Sequence, residues 1–249
     1  MSDIVLETRG LKRHFGAFLA TNDVSLKVGR GARHALIGPN GAGKTTLINL
    51  LTGVIPPSEG QVFLEGEDIT ALASFKRVKR GLTRTFQINQ LFNTFTPLET
   101  VALAIGEGEG IGHNLWKPIA GYGQVVDQAA ALLSRFGLAS VMGERTSTLP
   151  YGKQRLLEIA VAFAAKPKVL LLDEPAAGVP EDERHEVLAI VSDLPQDVTV
   201  LLIEHDMDLV FSFASRISVL VGGAIFAEGS VADIAADARV KAVYLGENA

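Results

Sequence analysis

No cysteine occurs among the 249 residues, which excludes disulfides and thiolate chemistry and suits a reducing cytosol. Long apolar runs are missing too. The longest mostly apolar stretch, 217–227, has 11 residues and includes two glycines, against roughly 20 for a membrane-spanning helix. The mean hydropathy of +0.26 is therefore expected to reflect a core and not a bilayer segment. A basic excess is absent: 23 Lys and Arg stand against 28 Asp and Glu, a net charge of −5, without the positive footprint of a general nucleic-acid binder. The first ten residues carry acids and no basic stretch followed by an apolar one, so the expectation is a protein that stays in the compartment where it is made. No internal repeat, low-complexity tract or like-charge tail stands out.

What is present is apolar material, 47% of the chain, enough for one large domain or two lobes and too much for disorder. Strand-like runs at 4–7, 24–28 and 35–37 lead to Gly38. From Lys44 the period turns helical, with Leu47, Leu50 and Leu51 at i, i+3, i+4 up to Gly53. A strand at 61–64, a basic helix at 74–80, a strand at 82–86 and a loop at 88–97 follow. The middle third reads as all helical: Val125, Ala129, Leu132, Leu133 and Phe136 mark one amphipathic helix ending at Gly137, and Leu156, Ile159, Ala160 and Phe163 mark another. After Pro167 the β/α alternation returns, with strands at 169–172, 198–203, 217–221 and 224–227 and helices at 183–194 and 208–214. Continuous apolar strands imply a parallel sheet covered on both faces. The glycine-rich segment 106–123, which holds the single Trp116, shows no period.

Two features carry chemistry. The run Gly38, Pro39, Asn40, Gly41, Ala42, Gly43, Lys44, Thr45 fits G-x4-G-K-S/T between a strand and a helix. Small residues there let successive backbone N–H groups surround a β-phosphate at a helix N-terminus. Lys44 would bridge the β- and γ-phosphates, and the Thr45 hydroxyl would bind Mg²⁺, a hard cation that prefers oxygen. The second is an apolar strand, 169–172, running into Asp173 and Glu174. These acids are expected at the sheet's carboxyl edge, Asp173 toward Mg²⁺ and Glu174 toward an attacking water.

Together these motifs resemble the nucleotide-binding subunit of ATP-binding cassette transporters over nearly the whole chain. LPYGKQ at 149–154 resembles the family's LSGGQ signature, with Tyr151, Gly152 and Lys153 meeting the γ-phosphate held by a second subunit. His205 matches the switch histidine. Gln87 matches the glutamine of the loop that faces the membrane subunits and touches the metal, and Phe15 the aromatic that stacks on adenine. Thr46 completes the phosphate loop. The resemblance implies an α/β fold: a P-loop NTPase (RecA-like) parallel sheet core with an N-terminal antiparallel β subdomain at 1–87 and 166–249, and an inserted all-helical subdomain at 88–165. It also implies ATP and Mg²⁺ as ligands, Glu174, His205 and Gln87 as catalytic residues, and a peripheral place on the cytoplasmic face of the inner membrane. The implied partners are a second ATPase subunit, identical or related, transmembrane permease subunits and, indirectly, a periplasmic substrate-binding protein. Leu91, Phe92 and Phe95 are expected to receive a short helix of the membrane subunit.

Within the family, the Tyr-Gly signature, PAAG after Glu174, IEHDM at 203–207 and YLGE at 244–247 resemble the branched-chain amino-acid importers, whose relatives also handle amides and organic acids. Pro150 and Tyr151 stand where the signature has serine and glycine, which removes one hydrogen bond to a charged group, worth about 1.5–3 kcal/mol. The aspartate usual after Glu174 is replaced at Pro180, which bears on coupling between two ATP sites and not on binding. Pro180 and the acids 181–183 make a good helix start. A soluble cassette ATPase acting on nucleic acid or the ribosome is the alternative, and a GTPase or small-molecule kinase a third reading that leaves LPYGKQ unexplained. His34, His113 and His185 read as structural or surface residues.

Overall fold

A computed structural model of the chain describes residues 3–85, 91–111 and 121–245. Gln87, Trp116 and His113 lie outside the described residues. The chain opens with β1 (Ile4–Phe15) and β2 (Phe18–Val24), followed by β3 (Lys27–Gly29) and β4 (Arg33–Ile37). The phosphate loop leads into α1 (Lys44–Thr52), then β5 (Glu59–Leu64), β6 (Glu67–Asp68), α2 (Ser74–Lys79) and β7 (Leu82–Arg84). Helices α3 (Pro97–Gly108), α4 (Gly123–Arg135) and α5 (Tyr151–Ala164) come next, with single 3-10 turns at Ala139–Val141 and Thr146–Thr148. The last third runs β8 (Val169–Asp173), α6 (Glu181–Ser192), β9 (Thr199–Ile203), α7 (Met207–Phe213), β10 (Arg216–Val221), β11 (Ala224–Gly229), α8 (Val231–Ala236) and α9 (Ala238–Leu245).

By contacts the chain divides into two compact units, one of Met1–Leu82, Lys168–Glu174 and Pro195–Ala249, the other of Thr83–Pro167 and Pro175–Leu194. In the first, among the described residues, an antiparallel sheet in the order β2-β1-β5-β6, with β3 also on β1, stands beside a larger sheet in the order β11-β10-β4-β9-β8-β7. The strands β10, β4, β9 and β8 pair in parallel, and β11 adds an antiparallel edge through the hairpin at Gly222 and Gly223. The parallel strands are buried along their length because alternate residues serve opposite faces. Leu36 packs with Leu47, Leu171 and Leu201 on one side; its neighbours Ala35 and Ile37 pack with Val210, Ile217, Val219, Ile234 and Val240 on the other.

That second face is covered by α7, α8 and α9, of which α8 and α9 have no strong apolar period in the sequence. Helix α8 is started instead by a capping box, in which the Ser230 hydroxyl accepts from Asp233 N–H and the Asp233 carboxylate accepts from Ser230 N–H. The run 24–28, expected as one strand, is broken. Both pieces pair with β1, Val24 opposite Leu11 and Val28 opposite Leu6, and the chain crosses between them at Leu26, whose N–H donates to the buried Thr8 hydroxyl. Helix α1 is closed at its far end by Arg77, a buried guanidinium that donates to the carbonyls of Leu50 and Leu51 at 2.8 and 2.6 Å. A cation on those last carbonyls meets the negative end of the helix.

The second unit is helical, as the apolar spacing of 125–136 and 156–163 predicts: Val125, Ala129, Leu133 and Phe136 are buried, with Leu156, Ile159 and Ala160. Helix α3, which the sequence reading passed over, begins with Thr96 and Glu99 as a capping box and with Pro97 in the first turn. Residues Pro175–Leu194 group with this unit, whereas the sequence boundary kept them with the core. Their helix α6 is tied to α5 by Glu183 and Glu186, which take the Gly152 N–H and the Lys153 ammonium at 2.9 and 2.6 Å.

Candidate functional site

Parallel pairing sets the site. Leu36 of β4 and Asp173 of β8 both stand in register with Ile203 of β9, so the three strands deliver the phosphate loop, the acid pair and His205 to one carboxyl edge, where open α/β sheets bind ligands. The loop can be this tight only with glycine at two places. Gly43 has φ +98°, and a Cβ there would stand 2.6 Å from the Ala20 carbonyl oxygen of β2; at Gly38 a Cβ would stand 2.2 Å from the Leu220 carbonyl oxygen. Lys44 opens α1 and is buried, its ammonium donating to the Gly38 and Pro39 carbonyls at 2.5 and 3.2 Å. Burial pushes the Lys44 ammonium below its ordinary pKa, and the charges of Glu174 and Asp173 oppose that shift. Thr45 is exposed and Thr46 half-buried in the same first turn. Pro39 and Asn40 lie at the loop's outer rim, half-buried and exposed, while Ala42 is buried.

Asp173 is buried at the end of β8. Glu174 follows with φ +46°, a left-handed turn that costs a non-glycine residue about 1–2 kcal/mol and is held by its N–H donating to the Ile203 carbonyl at 2.9 Å. Strain of this kind clusters at working sites. The His205 Nδ1 lies 3.5 Å from the Glu174 carboxylate and 3.7 Å from that of Glu204, with the imidazole 62% exposed and Glu204 only 2%. Glu204 went unremarked as a site residue in the sequence, although it stands inside IEHDM. Burial raises its carboxyl above the ordinary range and the nearby Glu174 adds to this, against the backbone N–H groups of His205 and Asp206 and the His205 ring.

Phe15 ends β1 at the β1–β2 hairpin, opposite Phe18, on the strand pair whose Ala20 backs Gly43. Its ring is 47% exposed and carries the Arg13 guanidinium at 4.8 Å from the centroid. In the helical unit, Tyr151 is partly exposed at the start of α5, where Pro150 is the N-cap and supplies no side-chain cap. The Gly152 N–H donates to the Glu183 carboxylate, and Lys153 is paired with Glu186 and with the Gly137 carbonyl. The acids at the start of α6 therefore do more than begin that helix: Glu183 also satisfies an open amide at the N-terminus of α5. Of the remaining histidines, His34 is buried and hydrogen-bonded to Ser218, and His185 is exposed on α6.

The sequence profile of the family described as "ABC transporter" matches residues 21–177. The high-affinity branched-chain amino acid transport ATP-binding protein BraF of Pseudomonas aeruginosa is 40% identical, over 99% of this chain and 100% of its own. LivG of Salmonella typhimurium, of the same description, is 38% identical over 99% and 100%. The crystal structure of the ADP conformation of MJ1267, an ATP-binding cassette of an ABC transporter, superposes with a TM-score of 0.85 at 32% identity over 98% and 99% of the two chains. The chain belongs to the ABC transporter family and has the P-loop fold of its ATP-binding cassettes.

Proposed function

We propose that this chain is the ATP-hydrolysing subunit of an importer for branched-chain amino acids or related amino acids, amides and organic acids. The observation that carries the reading is the meeting of the phosphate loop, Asp173–Glu174 and His205 at one sheet edge through the β4–β9–β8 register. The phosphate loop from Gly38 to Thr46 binds the nucleotide phosphates, and the Lys44 ammonium exchanges its two loop carbonyls for phosphate oxygens. Phe15 offers the free face of its ring to adenine. Glu174 and His205 place water in line with the γ-phosphate.

Thr45 and Asp173 supply a hydroxyl and a carboxylate, oxygen donors suited to Mg²⁺, which takes few protein ligands and shares the rest of its shell with phosphate and water. No cluster of three or more His, Cys, Asp or Glu suited to a metal occurs among the described residues. Bound there, Mg²⁺ neutralises charge on the β- and γ-phosphates. Gln87 is assigned to this group by its place in the sequence alone.

Tyr151, Gly152 and Lys153 belong to the facing subunit's site. A γ-phosphate arriving at the Gly152 N–H must displace the Glu183 carboxylate, so closure of two copies, or of this chain with a related subunit, carries a local cost that ATP binding offsets. The serine missing at Pro150 leaves that amide and the helix N-terminus as the contacts. No described helix is long and apolar enough to cross a membrane, and attachment at the cytoplasmic face of the inner membrane falls to permease subunits through Gln87 and the segment with Phe92. A soluble role on nucleic acid is not favoured at a net charge of −5. Lys44→Ala in the purified chain should lower ATP hydrolysis by at least about a hundredfold. Turnover at the wild-type rate would sink the reading.

A further inference from the structure

Glu204 is a carboxylate almost wholly removed from water, 2% exposed, within the reach of a second acid, Glu174. Burying a charge is unfavourable unless it is paired and hydrogen-bonded. Its Oε2 accepts the backbone N–H groups of His205 and Asp206 at 3.0 and 3.4 Å, the two amides at which the chain leaves β9 and turns toward α7. The same oxygen stands 3.7 Å from His205 Nδ1, while Glu174 Oε1 approaches that nitrogen at 3.5 Å. One ring edge thus faces two carboxylates, and the His205 side chain is otherwise 62% exposed.

We propose that Glu204 is the positioning residue for His205: anchored by the two turn amides, its carboxylate holds the imidazole with Nδ1 toward Glu174 and leaves the opposite edge for the nucleotide. This rests on the reading of Glu174 and His205 as the hydrolytic pair. A neutral amide of the same shape still presents an oxygen to both N–H groups and to the ring. A carboxylate one methylene shorter, drawn back by about 1.5 Å, presents the charge without the reach. Position and not charge is the requirement, and a displacement on the order of 1 Å costs up to a hundredfold in rate.

The full-length chain with MgATP, assayed by steady-state hydrolysis, tests this with Glu204→Gln, Glu204→Asp and His205→Ala. Glu204→Gln should keep kcat within about threefold of wild type, and Glu204→Asp should lose about tenfold or more, both with KM for ATP within about twofold. Should Glu204→Asp not fold, Glu204→Ser, which lacks the reach altogether, takes its place with the same expectation. The proposal is overturned if the shortened variant turns over within twofold of wild type, or if Glu204→Gln is as slow as the shortened one. With His205→Ala slow and Glu204→Asp fast, the hydrolytic pair stands and only the role of Glu204 falls. His205→Ala at the wild-type rate removes the pair and the proposal with it.

Discussion

A methyl group at Gly43 would meet a backbone carbonyl that cannot swing aside. The residue is held at φ +98°, where L-residues are strained, and the added Cβ would lie 2.6 Å from the Ala20 oxygen. Gly41 is left-handed as well, at φ +80°, yet its Cβ would meet nothing within 4 Å. The pair separates torsional strain from collision within one loop. Gly41→Ala should cost about 1 kcal/mol, whereas Gly43→Ala should cost about 3 kcal/mol, since β2 or the start of α1 must shift. Urea unfolding of both variants measures the difference, and equal midpoints would show that the β2 contact does not constrain the loop. Displacing Gly43 also moves Lys44, so nucleotide affinity should fall in Gly43→Ala more than in Gly41→Ala.

Where β4, β10 and β11 lie side by side, their pairing buries a polar chain that makes stability depend on pH. The Ser218 hydroxyl donates to Glu228 at 3.0 Å, so the His34 ring, 2.8 Å from the same oxygen, carries its proton on Nε2 and donates to it. Among the described residues, His34 Nδ1 has no hydrogen-bond partner. Burial drives the His34 pKa down to about 4, against the pull of Glu228 and with a smaller push from Arg216. A histidine that takes up its proton less readily when folded than when unfolded stabilises the fold fully above the unfolded value near 6.5. That contribution, about 3 kcal/mol, is lost as pH falls from there through about 4. His34→Gln keeps a donor for Ser218 and should flatten the dependence of the urea midpoint between pH 6.5 and 4; an unchanged slope would assign the acid sensitivity elsewhere.

Elements of this kind also mark what a sequence discloses. Helices α1, α4 and α5 repeat apolar residues at helical spacing, and β4, β8 and β9 contain continuous apolar runs at 35–37, 169–172 and 200–203, so their place in the core was legible. Helix α3 carries that period as well, with Leu98, Val101, Ala102 and Ile105 at i, i+3, i+4 and i+7, and was legible though passed over; α8, only six residues long, is defined by its start, Ser230 with Asp233, as α3 is also marked by Thr96 with Glu99. Lys44, Asp173 and Glu174 were legible as candidates because each belongs to a motif of fixed spacing at a strand end, and the β4–β9–β8 register brings them to one edge. Glu204 and Glu183 were not: each acts through a hydrogen bond to a backbone amide, Glu183 on one 31 residues away, and no local pattern distinguishes such an acid from a solvated one.

At the scale of the molecule, binding ATP moves a substrate only if the nucleotide-driven change reaches a second protein. The segment before α3 is suited to that contact. Phe92 is 59% exposed, Phe95 is half-buried with its ring 5.1 Å from that of Phe92, and the Phe95 carbonyl is fixed by the Thr146 N–H at 2.9 Å and hydroxyl at 2.7 Å. An exposed aromatic on an anchored turn contributes little to its own fold, and apolar surface of this sort marks interaction sites. Phe92→Glu should therefore change stability by less than about 1 kcal/mol and leave ATP hydrolysis by the purified chain within about twofold. Cells relying on the variant should nonetheless lose uptake of the transported substrate, because a carboxylate cannot enter an apolar seat without a partner for its charge. Uptake at the wild-type rate would remove this turn from the path between nucleotide and permease. Loss of folding in the isolated chain would instead show that Phe92 serves the helical unit's own core.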